Sequence, residues 1–293
     1  MQPNHVFRAH DSYVMALAYT SGGGSLFSAG MDNVVHSWDA GEWGRMTTFV
    51  EHEKSVNCFA LTPDGQTLIT GSSDATVRLW DIRTQEARHI LQDRQRVVAA
   101  LALSSDAWWI AAGSYKGRVA VWDLEGKVVT GFPASKGNIT AVAFHPTEGH
   151  VLATAGLGSD IRVWHLPDAD EIATLPVTTA AVATARFTPD GRYLLALTYE
   201  GYLRVWDART GTALPQLHVD LTGARTFALN AQGDRCAVLY EGRAEIRSFP
   251  GWAIQASLDM DAKVLNAAAF SPSSGEVAIG GADGKIRIYQ IGV

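Results

Sequence analysis

Short apolar runs, separated by turn-forming residues, follow one another along the whole chain. The clearest lies at residues 71–83, Gly-Ser-Ser-Asp-Ala-Thr-Val-Arg-Leu-Trp-Asp-Ile-Arg. Small residues open it, Asp74 turns it, and apolar and polar positions then alternate into Trp80 and Asp81. Alternation with a period of two, ending on an aromatic, predicts a half-buried β-strand. The same stretch recurs: Trp38-Asp39, Trp80-Asp81, Trp122-Asp123, Trp164-His165 and Trp206-Asp207 stand 42 positions apart. Tyr289 lies 83 positions beyond Trp206, which leaves room for one more unit centred on Arg247, so the chain carries seven units. A fixed period of this size describes a whole architecture. No helical period interrupts it.

Each unit has the same grammar: an apolar strand, a turn, a second apolar strand, a second turn, the aromatic-ended strand, and a more polar fourth strand. The first turns include Thr62-Pro63-Asp64-Gly65, His145-Pro146-Thr147-Glu148-Gly149 and Thr188-Pro189-Asp190-Gly191. The second turns include Met31-Asp32-Asn33, Lys116-Gly117, Glu200-Gly201, Glu241-Gly242 and Asp283-Gly284. Proline presets one turn dihedral and glycine supplies positive φ, so both sets predict hairpin connections.

Four strands per unit of this length are the signature of a propeller blade. The Trp-Asp pair ends the third strand in four units, with Trp164-His165 as a fifth, and Ala9-His10 and Glu51-His52 stand before the first strands of the first two. In these features the chain resembles the WD-repeat β-propeller family over essentially its whole length. The expected fold is all-β, a seven-bladed propeller of four-stranded antiparallel blades in one domain spanning 1–293. The last unit lacks a fourth strand after Lys285–Gln290, whereas Val6-Phe7-Arg8-Ala9-His10 parallels Thr48-Phe49-Val50-Glu51-His52. Residues 5–9 are therefore expected to pair with 285–290 and close the ring, since an open blade would present an unpaired edge.

A length of 293 residues would by itself suggest two domains; the uninterrupted repeat overrides that. The chain is 47% hydrophobic and 18% charged, as an ordered globular protein is. A net charge of −6 argues against a broad nucleic-acid footprint. Cys58 and Cys236 fall in equivalent parts of different units and read as small buried hydrophobes, not a bridge. The first residues carry no apolar signal region, and no stretch reaches the roughly 20 apolar residues of a membrane helix. The sequence thus points to a cytoplasmic protein with no membrane insertion.

In the family resembled, a His before the first strand, a Ser or Thr in the second, an Asp in the tight turn and the Trp form a hydrogen-bonded set. Here the resemblance assigns those roles to His10, Ser28, Asp32 and Trp38 in the first unit, and to His52, Thr70, Asp74 and Trp80 in the second. Elsewhere the set is broken, and the sixth unit, with Arg247 at the Trp position, is expected to be the loosest. An Asp-His-Ser trio invites a catalytic reading, but a triad is one convergent site, and this trio is duplicated. His145, His150 and His165 lack the Cys or carboxylate partners of a metal centre. No phosphate loop opens a helix. No catalytic residue, metal or cofactor is therefore expected. Trp43, Trp108 and Trp109 are expected half-buried near the bottom turns, where they could form a second contact patch.

By resemblance, partners dock on the top face, formed by the second turns and the starts of the first strands. The expected binding residues are Tyr13, Met15, Met31, Asn57, Tyr115, Leu157, Tyr199, Arg225, Tyr240 and Asn266. Tyr and Arg are enriched at binding hot spots, and tyrosine presents a large rigid ring with a polar tip. The favoured reading is a non-catalytic scaffold or adaptor for protein or peptide partners, working alone or as a subunit of a larger complex. Two other readings exist. Trp80-Asp81-Ile82-Arg83 and Trp206-Asp207-Ala208-Arg209 resemble the W-D-x-R box of cullin-type ubiquitin ligase substrate receptors. A propeller hydrolase would need converging carboxylates or histidines in the channel, where the sequence offers tyrosines and amides.

Overall fold

Every apolar run becomes a strand. The computed structural model describes residues 1–92, 97–158, 160–177, 181–273 and 275–292. Its strands form seven four-stranded antiparallel sheets, the blades of a β-propeller, numbered here in chain order. Within a blade the strands run from the central channel outward. Blade one is Val14–Tyr19, Ser25–Gly30, Val34–Asp39 and Arg45–Val50. No helix among the described residues is long and apolar enough to cross a membrane.

One register runs through all seven blades. The residue at the Trp position always lies opposite the second residue of the second strand: Leu26 against Trp38, Leu68 against Trp80, Leu152 against Trp164, Cys236 against Arg247 and Val277 against Tyr289. The second turns carry positive φ at Asn33, Ala75, Gly117, Gly201, Gly242 and Gly284, as tight hairpins of this hand require. The Asp of the Trp-Asp pair caps the next hairpin. Asp39 Oδ1 accepts from the Gly41 and Glu42 amides at 2.8 and 2.9 Å, and Asp81 Oδ1 from Arg83 and Thr84 at 2.8 and 2.9 Å.

The core is divided among the blade interfaces. Trp80 packs with Leu68 and Val56 of its own blade against Phe27, Val35 and Phe49 of blade one. Trp38 does the same against Ala278, Ile286 and Ile288 of blade seven. A strand face that is apolar on both sides, such as Leu194–Leu197, is buried by both neighbours, which accounts for its lack of alternation.

His5–Arg8 pairs antiparallel with Lys285–Gln290, His5 opposite Ile288 and Arg8 opposite Lys285. Blade seven is thus completed by the start of the chain. The Ala9 and His10 amides both donate to the Gly284 carbonyl, at 2.8 and 3.0 Å, so the ladder ends one residue earlier than the sequence suggested. Blade five also departs from the expected grammar. Its outer strand shrinks to Val219–Asp220, preceded by a single 3₁₀ turn at Pro215–Leu217, because Pro215 has no amide for a ladder.

Candidate interaction surface

The duplicated polar sets are built into the frame. In blade one, His10 Nδ1 lies 2.9 and 3.1 Å from the Asp32 carboxylate, and His10 Nε2 lies 2.8 Å from Ser28 Oγ. Trp38 Nε1 donates to the same hydroxyl at 2.9 Å. Blade two repeats this: His52 Nδ1 to Asp74 at 2.7 Å, His52 Nε2 to Thr70 Oγ1 at 2.7 Å, and Trp80 Nε1 to Thr70 at 2.8 Å. These partners fix the tautomer, with Nδ1–H donating to carboxylate and Nε2 accepting the hydroxyl proton. Burial raises the Asp32 carboxyl, but the hydrogen bonds it accepts from His10 and the Asp11 amide help hold the group below its ordinary value. Ser28 and Thr70 are wholly buried and engaged from two sides, which closes these hydroxyls to any substrate. Blade four keeps half of the arrangement, with Trp164 Nε1 donating to Thr154 Oγ1 at 2.9 Å.

His36 joins the first set unannounced. Its ring lies 4.9 Å from that of His10, and its Nδ1 is 2.8 Å from Thr48 Oγ1. Burial, then the neighbouring His10, pushes its pKa down to about 4. His10, Asp32 and His36 bring three potential ligand atoms within 4.8 Å of one another, yet the bonds above already engage each of these residues. His145 ties two blades, its Nε2 lying 2.9 Å from the Gly191 carbonyl, while the tilted rings of His150 and His165 lie 4.7 Å apart. Both cysteines are free, and burial pushes each thiol up to about 12.

The top face holds an exposed apolar rim. Tyr13, Met31, Tyr115, Leu157 and Tyr199 are 43–60% exposed. Tyr115, Leu157 and Tyr199 occupy the same turn position in three consecutive blades, three to five. Burial, then Tyr115, raises the Tyr199 phenol. Met15 is half-buried at the channel mouth, and Arg225 is exposed there.

Tyr240 corrects the expected site. It occupies the equivalent turn position in blade six but is 5% exposed, and its hydroxyl donates to Glu245 Oε2 at 3.1 Å. The cause is Arg247. A guanidinium at the Trp position needs a counter-charge, and Glu245, two residues earlier on the same strand face, supplies it at 2.9 and 2.7 Å. The Tyr240 hydroxyl meets this pair, and the Arg243 guanidinium lies over the Tyr240 ring, 4.4 Å from its centroid and 3.6 Å from Glu245 Oε1. Burial first, and Glu245 next, push its phenol up to about 12. Asn57 and Asn266 are half-buried, and their amides bond the next blade: Asn57 Nδ2 to the Val98 carbonyl at 2.7 Å and Asn266 Nδ2 to that of Val14 at 3.1 Å. Thr140 does likewise to Val182 at 2.6 Å. Each of these three residues sits at a register shift in its first strand, a bulge that aims the side chain sideways.

On the bottom face Trp108 is 70% exposed, whereas Trp43 is buried against Phe7. Trp43 therefore leaves the proposed second patch. Arg83 and Arg209, of the two W-D-x-R stretches, are exposed on the turns that follow Asp81 and Asp207.

Comparison with known families agrees with the propeller fold. The family described as "WD domain, G-beta repeat" matches residues 1–39, 43–81 and 255–290. The chain is a β-propeller that carries WD repeats. A second description, "Eukaryotic translation initiation factor eIF2A", matches residues 95–210 of this WD-repeat chain. Among curated relatives, Pre-mRNA-processing factor 17 of Saccharomyces cerevisiae is 26% identical over 33% of the chain and 22% of its own length. Transducin beta-like protein 3 of Rattus norvegicus is 34% identical over 27% of the chain and 10% of its own length. Human Coronin-2A is 24% identical over 51% of the chain and 31% of its own length. The WD-repeat chain thus spans a third or less of these relatives. WD-repeat proteins are generally protein-interaction scaffolds and generally non-catalytic.

Proposed function

We propose that this WD-repeat protein is a non-catalytic scaffold that holds a protein or peptide partner on its top face, across blades three to five. The observation that carries this reading is the exposed arc of Tyr115, Leu157 and Tyr199, at one turn position in consecutive blades. Exposed apolar side chains grouped in one place mark interaction sites, where scattered ones do not. Tyr13 and Met31, from the other side of the mouth, extend the same face.

The test is affinity capture from the native cell with the triple variant Tyr115→Ala, Leu157→Ala, Tyr199→Ala. Capture should fall at least tenfold while the melting temperature stays within about 2 °C, as expected for surface changes. Trp108→Ala serves as the bottom-face control. Capture lost with Trp108→Ala and retained in the triple variant would move the docking surface to the other face.

A further inference from the structure

The next-to-last residue of each first strand faces the central channel. In six blades it is alanine (Ala18, Ala60, Ala102, Ala143, Ala228, Ala269), and in blade five it is Arg186. The channel holds an upper cavity of about 350 Å³ and a lower one of about 500 Å³; this ring lines the lower one, and Arg186 lines both. Both volumes fall in the range of roughly 300–1,000 Å³ in which ligands bind.

Among the described residues that line the two cavities, Arg186 is the only charged side chain. Water in the channel reaches it, yet protein surrounds it, and burial lowers its pKa from the ordinary value. Its guanidinium forms no hydrogen bond or ion pair with any described residue. The amides of Asn57 and Asn266 and the hydroxyl of Thr140, higher in the channel, are engaged by neighbouring blades, so none can turn toward it. A guanidinium offers five N–H donors in a planar fork that fits an oxyanion. Water alone solvates this cation in the channel, so an anion entering there meets a guanidinium with no protein counter-charge to displace.

We infer that the channel waist is a binding site for an oxyanion, a phosphate or carboxylate group, with Arg186 as its pairing cation. The anion can arrive as a small free species or on the acidic tip of a peptide, and both offer the same planar or tetrahedral oxygen face. The inference is independent of the top-face reading, since it rests on no rim residue.

Thermal unfolding of the full chain tests it, with inorganic phosphate and the peptide Gly-Gly-Glu as probes, each against sodium chloride of equal ionic strength. At least one probe should raise the melting temperature saturably, by about 5 °C at ~100-fold its Kd, and which one does so separates the two sources. Arg186→Ala should abolish the rise, and without probe it should melt no lower than the native protein. Arg186→Gln, closer in volume, must lose the rise as well, and it decides the matter if the alanine variant does not fold. Arg225→Gln, at the rim, must keep it. No rise above the chloride control with either probe, a rise that survives the neutral Arg186 variants, or one lost with Arg225→Gln overturns the assignment.

Discussion

At position 247 an arginine occupies a site that holds tryptophan in five other blades, and three residues reorganise around it. Glu245 is 6% exposed and pairs with Arg247 at 2.7 Å. Removing one member of such a pair leaves the other buried and uncompensated, at about 3–5 kcal/mol. Glu245→Ala should therefore lower the unfolding free energy by about that much in urea titration. Tyr240→Phe, which loses one hydrogen bond, should lose only about 1 kcal/mol. Histidines set the acid response. The unfolded chain takes up a proton at His36 near its ordinary 6.5, and the folded chain only at about 4. Between these values the unfolded state binds more protons, so stability is present above 6.5 and declines as pH falls toward 4. His52, whose pKa burial also lowers, acts in the same direction. Melting curves from pH 7 to 4 should fall by several degrees, and His36→Leu should flatten the slope. Much of this scale was hidden in the sequence. The partners of His10 and His52 were legible because the family pattern marks them. The burial of Tyr240 was not, because it follows from a substitution on the neighbouring strand. Glu245 and Arg247 do share a strand face at spacing two, and that was the available signal.

At the scale of strands and turns, the blade pattern was almost wholly legible, because alternation and turn chemistry are local. Its failure in blade five has an equally local cause, Pro215 in the outer strand. Contacts between elements were less legible. Nothing in a single repeat says that Asn57, Thr140 and Asn266 bond a carbonyl one unit further on. Turn glycines differ for the same reason. Gly242 and Gly284 share positive φ, yet a Cβ at Gly242 meets nothing closer than 4.0 Å, whereas at Gly284 it would lie 2.2 Å from the His10 carbonyl oxygen. Gly242→Ala should cost about 1–2 kcal/mol, the left-handed penalty alone. Gly284→Ala must also displace backbone at the ring closure and should cost at least twice that, as read by chemical denaturation.

For the molecule as a whole, the family matches begin and end out of phase with the blades. Residues 43–81 contain the outer strand of blade one and the three inner strands of blade two. Each repeat thus straddles two blades, and the offset reaches the end of the series at blade seven, which the first residues must complete. Deleting residues 1–9 exposes the edge of Lys285–Gln290 and removes Phe7 from Trp38, whose rings lie 4.8 Å apart. The loss of a whole strand should exceed about 4 kcal/mol, a fall of roughly 10 °C in melting temperature. An unchanged transition would show that the seam contributes nothing. A register copied seven times makes the number of blades legible, whereas the chemistry of the rim and channel lies where the copies differ, as Arg186 does among alanines.

The seam also decides where anything tethered to this protein would hang. Asn4 and Gln290 are joined by a 3.0 Å hydrogen bond, so linkers grafted at either end depart from a common point on the seventh blade. That point lies almost diametrically across the torus from the fourth, at the centre of the Tyr115–Tyr199 arc. Cargo fused there would leave the arc unobstructed. A permuted chain, cut in a distant turn and stitched from 290 to 4, should still wind into the same wheel.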